Sequence, residues 1–414
     1  MEEFLGKVSS FVWGGGLIFL LLFTGAVYTV KLRFIQFKTI PFLLKNAKKN
    51  QKSNTGMSQW KTVCMSLGTA MGTGNITGVA AAVALGGAGA VFWMWVSALL
   101  GMALVYAENN LSVIYSTKEC RGPMGYLKNG LGAPVLAEVF AVMCLAASVG
   151  MGGMIQVSSL IDSVKSTSDV SSIPAAVVIF LMIFIVTSGG AKRIGSAAQA
   201  LLPAASVIYS VMCLLVLLSF KSRIPEAFRM IFAQASGLEQ AASGGIGYAV
   251  SIGIRRGIFS NEAGLGSSPV LHSAAESDSP HLQGMWSMFE VFFDTIICCT
   301  LTALVVLCSS GDGSVSGAFS EVIGDYSGIL LSAVMAVFAF CTIIGWYYCG
   351  ETAWSFLSGR NAGKGFSAFF SAFASLGAVI SLNTIWIISD IFNGLMAFPN
   401  LLGLILLINK VKKE

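Results

Sequence analysis

What most constrains this chain is the recurrence of stretches of about 20 residues with almost no charge, each long enough at ~1.5 Å per residue to cross a bilayer core. Of its 414 residues 55% are hydrophobic, and the charged ones are 25 Lys or Arg and 20 Asp or Glu. A soluble chain of this length carries about a hundred charges. The sequence therefore reads as an all-α polytopic membrane protein. Its net charge of +5 is too small and too scattered for a nucleic-acid surface. The nine cysteines form no CxxC pair and lie mostly in apolar runs, which indicates neither a disulfide framework nor a zinc site. His272 and His281 fall in a polar loop, too few for a metal site.

Eleven spans are expected, at 8–30, 59–85, 88–116, 133–161, 173–189, 196–220, 242–270 with a break, 282–309, 327–357, 366–381 and 383–409. The first is too long for a signal-peptide core and is followed by basic residues from Lys31 to Lys61, so it reads as a retained anchor. Counting Lys and Arg on alternate sides puts 18 of the 25 on one face, including Lys48, Lys49, Lys52 and Lys413. The positive-inside rule then sets the N-terminus outside and the C-terminus in the cytoplasm. The amphipathic stretch 224–240 reads as a helix lying on the outer face. Acids at or near membrane depth are Glu108, Glu138, Glu262, Glu290, Asp294, Glu351 and Asp390. Each costs about 2.5–3.5 kcal/mol at a helix centre unless it faces a partner, a cavity or the interface. Glu108 and Glu138 are expected at the interface. Arg255 and Arg256 fall within a span, and at least one is expected to pair with Glu262, Asp294, Glu351 or Asp390 in an inner gate.

Glycine is concentrated in two places. Gly68 to Gly78 in the second span and Gly253 to Gly266 in the seventh interleave glycine with Thr, Ser, Asn, Glu and Arg. A helix interrupted at that depth frees carbonyls and amides that lipid cannot satisfy. Two interrupted helices in corresponding positions of two five-span halves point to a transporter built from inverted repeats, with its site at the midplane. Half-helix N-termini there attract a carboxylate, while C-terminal ends and unwound carbonyls attract a cation. A zwitterionic amino acid travelling with Na⁺ suits both, and the oxygens of Thr73, Asn75 and Thr342 with carbonyls near Gly68 and Met71 are hard donors of the kind sodium prefers.

The blocks Gly87 to Gly101, Gly122-Pro123-Met124 with Asn129 to Gly132, Ile254 to Ser267, Met288 to Thr295 and Asn393 to Leu401 resemble the alanine or glycine:cation symporter family over nearly the whole chain. The resemblance implies a LeuT-type fold, ten core helices in a 5+5 inverted repeat after one extra helix, and Na⁺-coupled uptake of alanine, glycine or a related small amino acid. On that pattern residues 1–58 hold the extra helix and a basic linker, 59–220 the first repeat, 221–241 an outer surface segment, and 242–414 the second repeat and tail. It implies that Thr73, Gly74, Gln156, Phe259 and Trp346 bind the substrate, and that Gly68, Met71, Asn75, Ala339 and Thr342 bind sodium. Trp346 and Gln156 have packing roles as alternatives. The chain departs from the family's usual pattern at Arg121, Gly125, Lys128 and Val105, all away from this pocket.

No cofactor is expected beyond the co-transported Na⁺, and the expected partners are the amino acid, Na⁺ and the bilayer of a bacterial inner membrane, with a monomer or weak oligomer. The alternatives are proton coupling, an intramembrane protease and a channel. A serine protease would need a Ser and a His in facing spans. An aspartyl one could use Asp294 and Asp390, whose surroundings match no protease pattern.

Overall fold

The computed structural model describes residues 2–46, 57–165, 171–235, 245–275, 279–309, 313–380 and 382–412, which contain helices and no strand. Lys48, Lys49, Lys52, Lys413 and residues 236–241 of the expected surface segment lie outside the described residues. The chain opens with α1 (Glu2–Val12), α2 (Gly15–Lys31) and α3 (Thr39–Asn46). Next come α4 (Gln59–Ala70), α5 (Thr77–Gly86), α6 (Gly89–Tyr115) and α7 (Pro134–Lys165). They are followed by α8 (Ser172–Thr187), α9 (Gly190–Ser219) and α10 (Ile224–Ala235). The last part holds α11 (Gly245–Asn261), α12 (Ser267–His272), α13 (Pro280–Cys308) and α14 (Val315–Ile323). It ends with α15 (Ser327–Ser358), α16 (Gly363–Ser375) and α17 (Leu382–Leu406).

Among the described residues, seven helices are long and apolar enough to cross a membrane. The other four expected spans are shorter or interrupted. One is α4 plus α5, one is α11 plus α12, and α8 and α16 have 16 and 13 residues. Helix α8 stops because Ser188, Gly189 and Gly190 follow, with Gly190 in the left-handed region (φ +71°). Local signals set several starts. The hydroxyls of Ser58, Ser279 and Ser314 accept the backbone N–H three residues on, at 3.4, 3.2 and 2.9 Å, and cap α4, α13 and α14.

The two breaks fall where glycine and small polar residues cluster. After Ala70, Met71 leaves helical geometry (ψ 71°), Gly72 is extended, and Thr73–Asn75 form one tight turn before α5. After Asn261, Glu262 takes a left-handed conformation (φ 56°), which is costly for a residue with a side chain. Gly264 and Gly266 follow at φ +83° and +86° and restart the chain as α12. Inside α7 and α13, residues Ser148–Met154 and Phe292–Cys299 widen to π geometry, a feature often found where a helix carries function.

Helix α11 packs along α6 through small residues. A Cβ on Gly253 would stand 2.3 Å from the Ala90 carbonyl oxygen and 2.7 Å from Trp93 Cβ. Helices α1 and α2 lie against α17, tied by Trp13 Nε1 donating to the Asp390 carbonyl and Tyr28 Oη to that of Leu404, both at 2.7 Å. Helix α10 rests on the start of α6, with Gln234 Oε1 accepting from Ala88 N at 2.8 Å and the Glu226–Arg229 pair exposed. The outer faces of α8 and α9 display Val177, Leu181, Ile185, Val207, Leu214 and Leu218 to the surroundings. Such a continuous apolar surface requires lipid as its solvent. Gly253→Val is expected to destabilise the α6–α11 contact by about 1–3 kcal/mol through overpacking, seen as a lower melting midpoint of detergent-solubilised protein by size exclusion after heating. Gly365→Val, with nothing within 4 Å, should leave the midpoint in place. Equal midpoints for the two variants would contradict the close approach.

Candidate ion and substrate site

The breaks meet one another, and the groups they free are met by side chains from other helices. At the first, the Gly68 carbonyl accepts from Thr342 Oγ1 of α15 at 3.0 Å and the Asn75 carbonyl from Thr302 Oγ1 of α13 at 2.9 Å. Gln156 Oε1 of α7 accepts from both Thr73 N (3.1 Å) and Thr73 Oγ1 (3.0 Å). At the second, Asn261 Oδ1 accepts from Ala263 N at 3.0 Å, and Asn400 Nδ2 of α17 donates to the Gly264 carbonyl at 2.9 Å.

Between the breaks stands Asp294, wholly buried in the π segment of α13. Its carboxylate accepts from Asn75 Nδ2 (2.5 Å), Ser260 Oγ (2.6 Å) and Thr295 Oγ1 (2.9 Å). Ser260 also lies 3.4 Å from Asn75 Oδ1, and Asn261 Nδ2 donates to Thr295 Oγ1 at 3.2 Å. All five residues are at most 4% exposed. Among the described residues no Lys or Arg forms an ion pair with this carboxylate. A buried charge compensated only by neutral donors is costly. Oxygens from Asp, Asn, Ser and Thr at a helix break make a donor set suited to a hard monovalent cation.

The positions expected to hold sodium and substrate fall into two adjoining groups. Thr342 of α15 meets the Gly68 carbonyl, and Ala339 and Met71 are buried. A Cβ on Gly72 would lie 2.9 Å from both Gln156 Oε1 and Thr342 Oγ1, so the two groups touch there. A Cβ on Gly74 would stand 3.3 Å from the Phe259 ring, which in turn packs on Trp386 at a centroid distance of 4.6 Å. From Ile76 and Thr77 a cavity of about 310 Å³ leads away between Ser159, Asp162, Ser332 and Met335. Trp346 takes a different position. Its Nε1 donates to Glu262 Oε1 at 2.8 Å, Ser267 Oγ donates to Glu262 Oε2 at 2.5 Å, and the indole presses on Gly152. It braces the second break.

The arginines also resolve. Arg255 pairs with Asp390 at 2.8 Å and lies 5.6 Å from the Trp13 ring, while Arg256 stacks 4.6 Å over Trp386. Glu262 and Asp294 take the neutral partners given above, and Glu351 accepts from Tyr347 Oη at 3.3 Å. The ion pair occupies the half of α11 that precedes its break and the first part of α17. Glu108 overturns one expectation. It is buried rather than interfacial, with Asn400 Nδ2 donating to it at 2.5 Å, because α17 folds back across the second break. Glu138 is exposed. Sequence reasoning did not single out Ser260, Thr295, Thr302 and Trp386, and set Asp294 among the gate candidates without placing it beside Asn75. The Met288 to Thr295 block and the Ser-Asn pair at the break were the available signals.

Interrupted helices that meet at a buried oxygen-lined site, within an apolar-faced bundle, define a membrane transporter rather than an enzyme. The profile of the sodium:alanine symporter family matches residues 1–414, and the chain belongs to that family. It is 37% identical over 432 residues to the sodium/alanine symporter AgcS of Methanococcus maripaludis, covering 99% of this chain and 95% of that protein. It is 33% identical to the amino-acid carrier protein AlsT of Bacillus subtilis, covering 100% and 92%. To YrbD of Bacillus subtilis, named a putative sodium/proton-dependent alanine carrier, it is 30% identical, covering 98% and 90%.

Gly72→Ala, whose methyl would collide with Gln156 and Thr342, should abolish substrate uptake while leaving the folded protein extractable. Gly78→Ala, with nothing within 4 Å, should transport as the parent does. Retained uptake by Gly72→Ala would separate the Gln156 and Thr342 groups from function.

Proposed function

We propose that this protein is a sodium-coupled symporter that imports alanine, glycine or a related small amino acid by alternating access. The observation that carries the reading is the junction of the two breaks at Asn75, Ser260 and Asp294, with Thr342 facing the Gly68 carbonyl one turn away. One Na⁺ binds at Asn75 and Asp294 with the hydroxyls of Ser260 and Thr295. A second binds among the carbonyls of Gly68, Met71 and Ala339 and the Thr342 hydroxyl. The substrate lies against Thr73, Gly74, Gln156 and Phe259, its carboxylate toward the amide ends of the first break. Trp346, on Gly152 and bonded to Glu262, completes the substrate's surroundings beside the second break. Sodium organises the breaks, the amino acid completes them, and the core helices then rock against the rest.

The finer architecture belongs to the same proposal. It has eleven spans, a LeuT-type 5+5 repeat over 59–220 and 242–414 after the extra helix of 1–58, an outer segment at 221–241, the N-terminus outside and the C-terminus in the cytoplasm of a bacterial inner membrane, in a monomer or weak oligomer. The four short or interrupted segments complement the seven long helices in this count. On that orientation the cavity beside Thr77 and Asp162 is the outer approach, and Arg255–Asp390 with Arg256 on Trp386 lies on the same outer side of the breaks.

Uptake of labelled alanine into proteoliposomes, with sodium and proton gradients imposed separately, tests the coupling. Uptake is expected to follow Na⁺, and uptake that ignores Na⁺ and follows pH would overturn it. Asp294→Asn keeps the shape and removes the charge. It is expected to raise the sodium concentration for half-maximal uptake about tenfold or more, equivalent to ~1.4 kcal/mol. An unchanged sodium dependence would remove Asp294 from the ion site. Arg255→Ala and Asp390→Ala, alone and together, should weaken transport by similar amounts if they act as one gate. Additive losses would show that they act separately.

A further inference from the structure

The polar loop expected around the histidines is not where His272 lies. It closes α12 with 1% of its side chain exposed, beside Glu290 of α13 at 5%. Its Nε2 is 3.0 and 3.1 Å from the two carboxylate oxygens, and its Nδ1 is 2.7 Å from Gln283 Oε1. Gln283 is held in turn by reciprocal bonds with Gln59 of α4, at 3.0 and 2.7 Å, and Ser66 Oγ of α4 donates to Glu290 at 2.6 Å. With Gln283 presenting its oxygen, the imidazole meets an acceptor on each side, an arrangement in which the imidazolium satisfies both. Loss of one proton leaves one of the two bonds without a donor, and turning the Gln283 amide to compensate requires Gln59 to turn with it.

The elements joined here are specific. Helix α4 is the half of the first interrupted helix that precedes its break, and α12 is the half of the second that follows its break. They lie on one side of the site, opposite Arg255–Asp390. We propose that His272 and Glu290, with Gln59, Ser66 and Gln283, form a proton-binding site that latches α4 to α12 and α13 on the cytoplasmic side, so that opening toward the cytoplasm releases one proton to the water there. The proposal rests on the transport cycle described above. It supplies a way for protons to influence a carrier that sodium drives.

Other ionisable groups on the packed elements are directed elsewhere. On α4, Lys61 reaches Ser196, and Cys64 is buried near Glu290. On α6, Tyr106 bonds His281 and Glu108 takes Asn400. On α15, Tyr348 takes Arg121 and Glu351 takes Tyr347. Lys192 and Arg193 at the start of α9 and Lys45 of α3 are exposed. The sign follows from the closed arrangement favouring the imidazolium. Cytoplasmic acid holds the latch shut and slows the cycle, and cytoplasmic alkali releases it.

The test is alanine exchange in proteoliposomes at equal sodium on both sides, with the pH of each side varied separately. Acidifying the cytoplasmic side from about pH 8 to about pH 6 should slow exchange at least about threefold, and the same change outside should not. His272→Gln, which keeps a donor and loses the charge, should flatten that response. Where exchange is measurable, a flat response in the parent, or an undiminished one in His272→Gln, overturns the latch. Should the variant fail to fold, the parent alone decides through Cys64, which is 2% exposed beside Glu290. Its labelling by a charged methanethiosulfonate, measured by peptide mass spectrometry relative to free glutathione at each pH, should be faster at about pH 8 than at about pH 6. Equal relative rates overturn the proposal. Absent sodium-driven uptake with pH-dependent labelling retained would instead sink the transport reading and leave the latch standing.

Discussion

Everything in this fold depends on how the backbone is satisfied at two places where helices stop inside the membrane. Lipid offers no hydrogen bonds, so each carbonyl and amide freed at Gly68 to Asn75 and at Asn261 to Gly266 needs a partner from another helix. Thr342, Thr302 and Gln156 serve the first break, and Asn400 and Asn261 serve the second. These helices are fixed around the breaks by that requirement. On the proposed cycle the same groups are the polar atoms that a sodium ion and an amino acid meet, so the devices that make the breaks tolerable also make them the candidate site.

The charges are graded from the centre outward. Asp294 faces only neutral donors at the junction. Arg255–Asp390 lies on one side of it, and His272–Glu290 on the other. A carboxylate without a basic partner is suited to a mobile cation, because a fixed Lys or Arg would compete for it. The paired charges flank the junction, and on the proposed cycle they part in alternation as each face opens. Glu262, whose oxygens are taken by Trp346 and Ser267, is used to hold the strained turn at the second break.

Much of this was legible in the chain. The interruptions announce themselves by glycine mixed with Thr, Ser and Asn at membrane depth, since no other placement of those residues within an apolar run is cheap. Asn75 and Thr73 stand out in the first break, and Gln156 through the resemblance. Their bonds do not, because Asp294 lies 219 residues from Asn75 and Gln156 lies 83 from Thr73. Glu108 looked interfacial because its depth was counted along one helix, and the later α17 is what covers it. His272 looked like a loop residue because α12 is short and its burial comes from α4 and α13.

Composition and periodicity alone determined that the chain is a helical membrane protein with two broken helices, because the cost of charge and of unsatisfied backbone in hydrocarbon leaves little choice. Tertiary structure decided which acid meets which arginine, which carboxylate faces only neutral donors at the junction, and where the histidine goes. Those outcomes turn on a few ångströms between helices far apart in the chain, and charge pairing at such distances is set by packing rather than by any local pattern of residues.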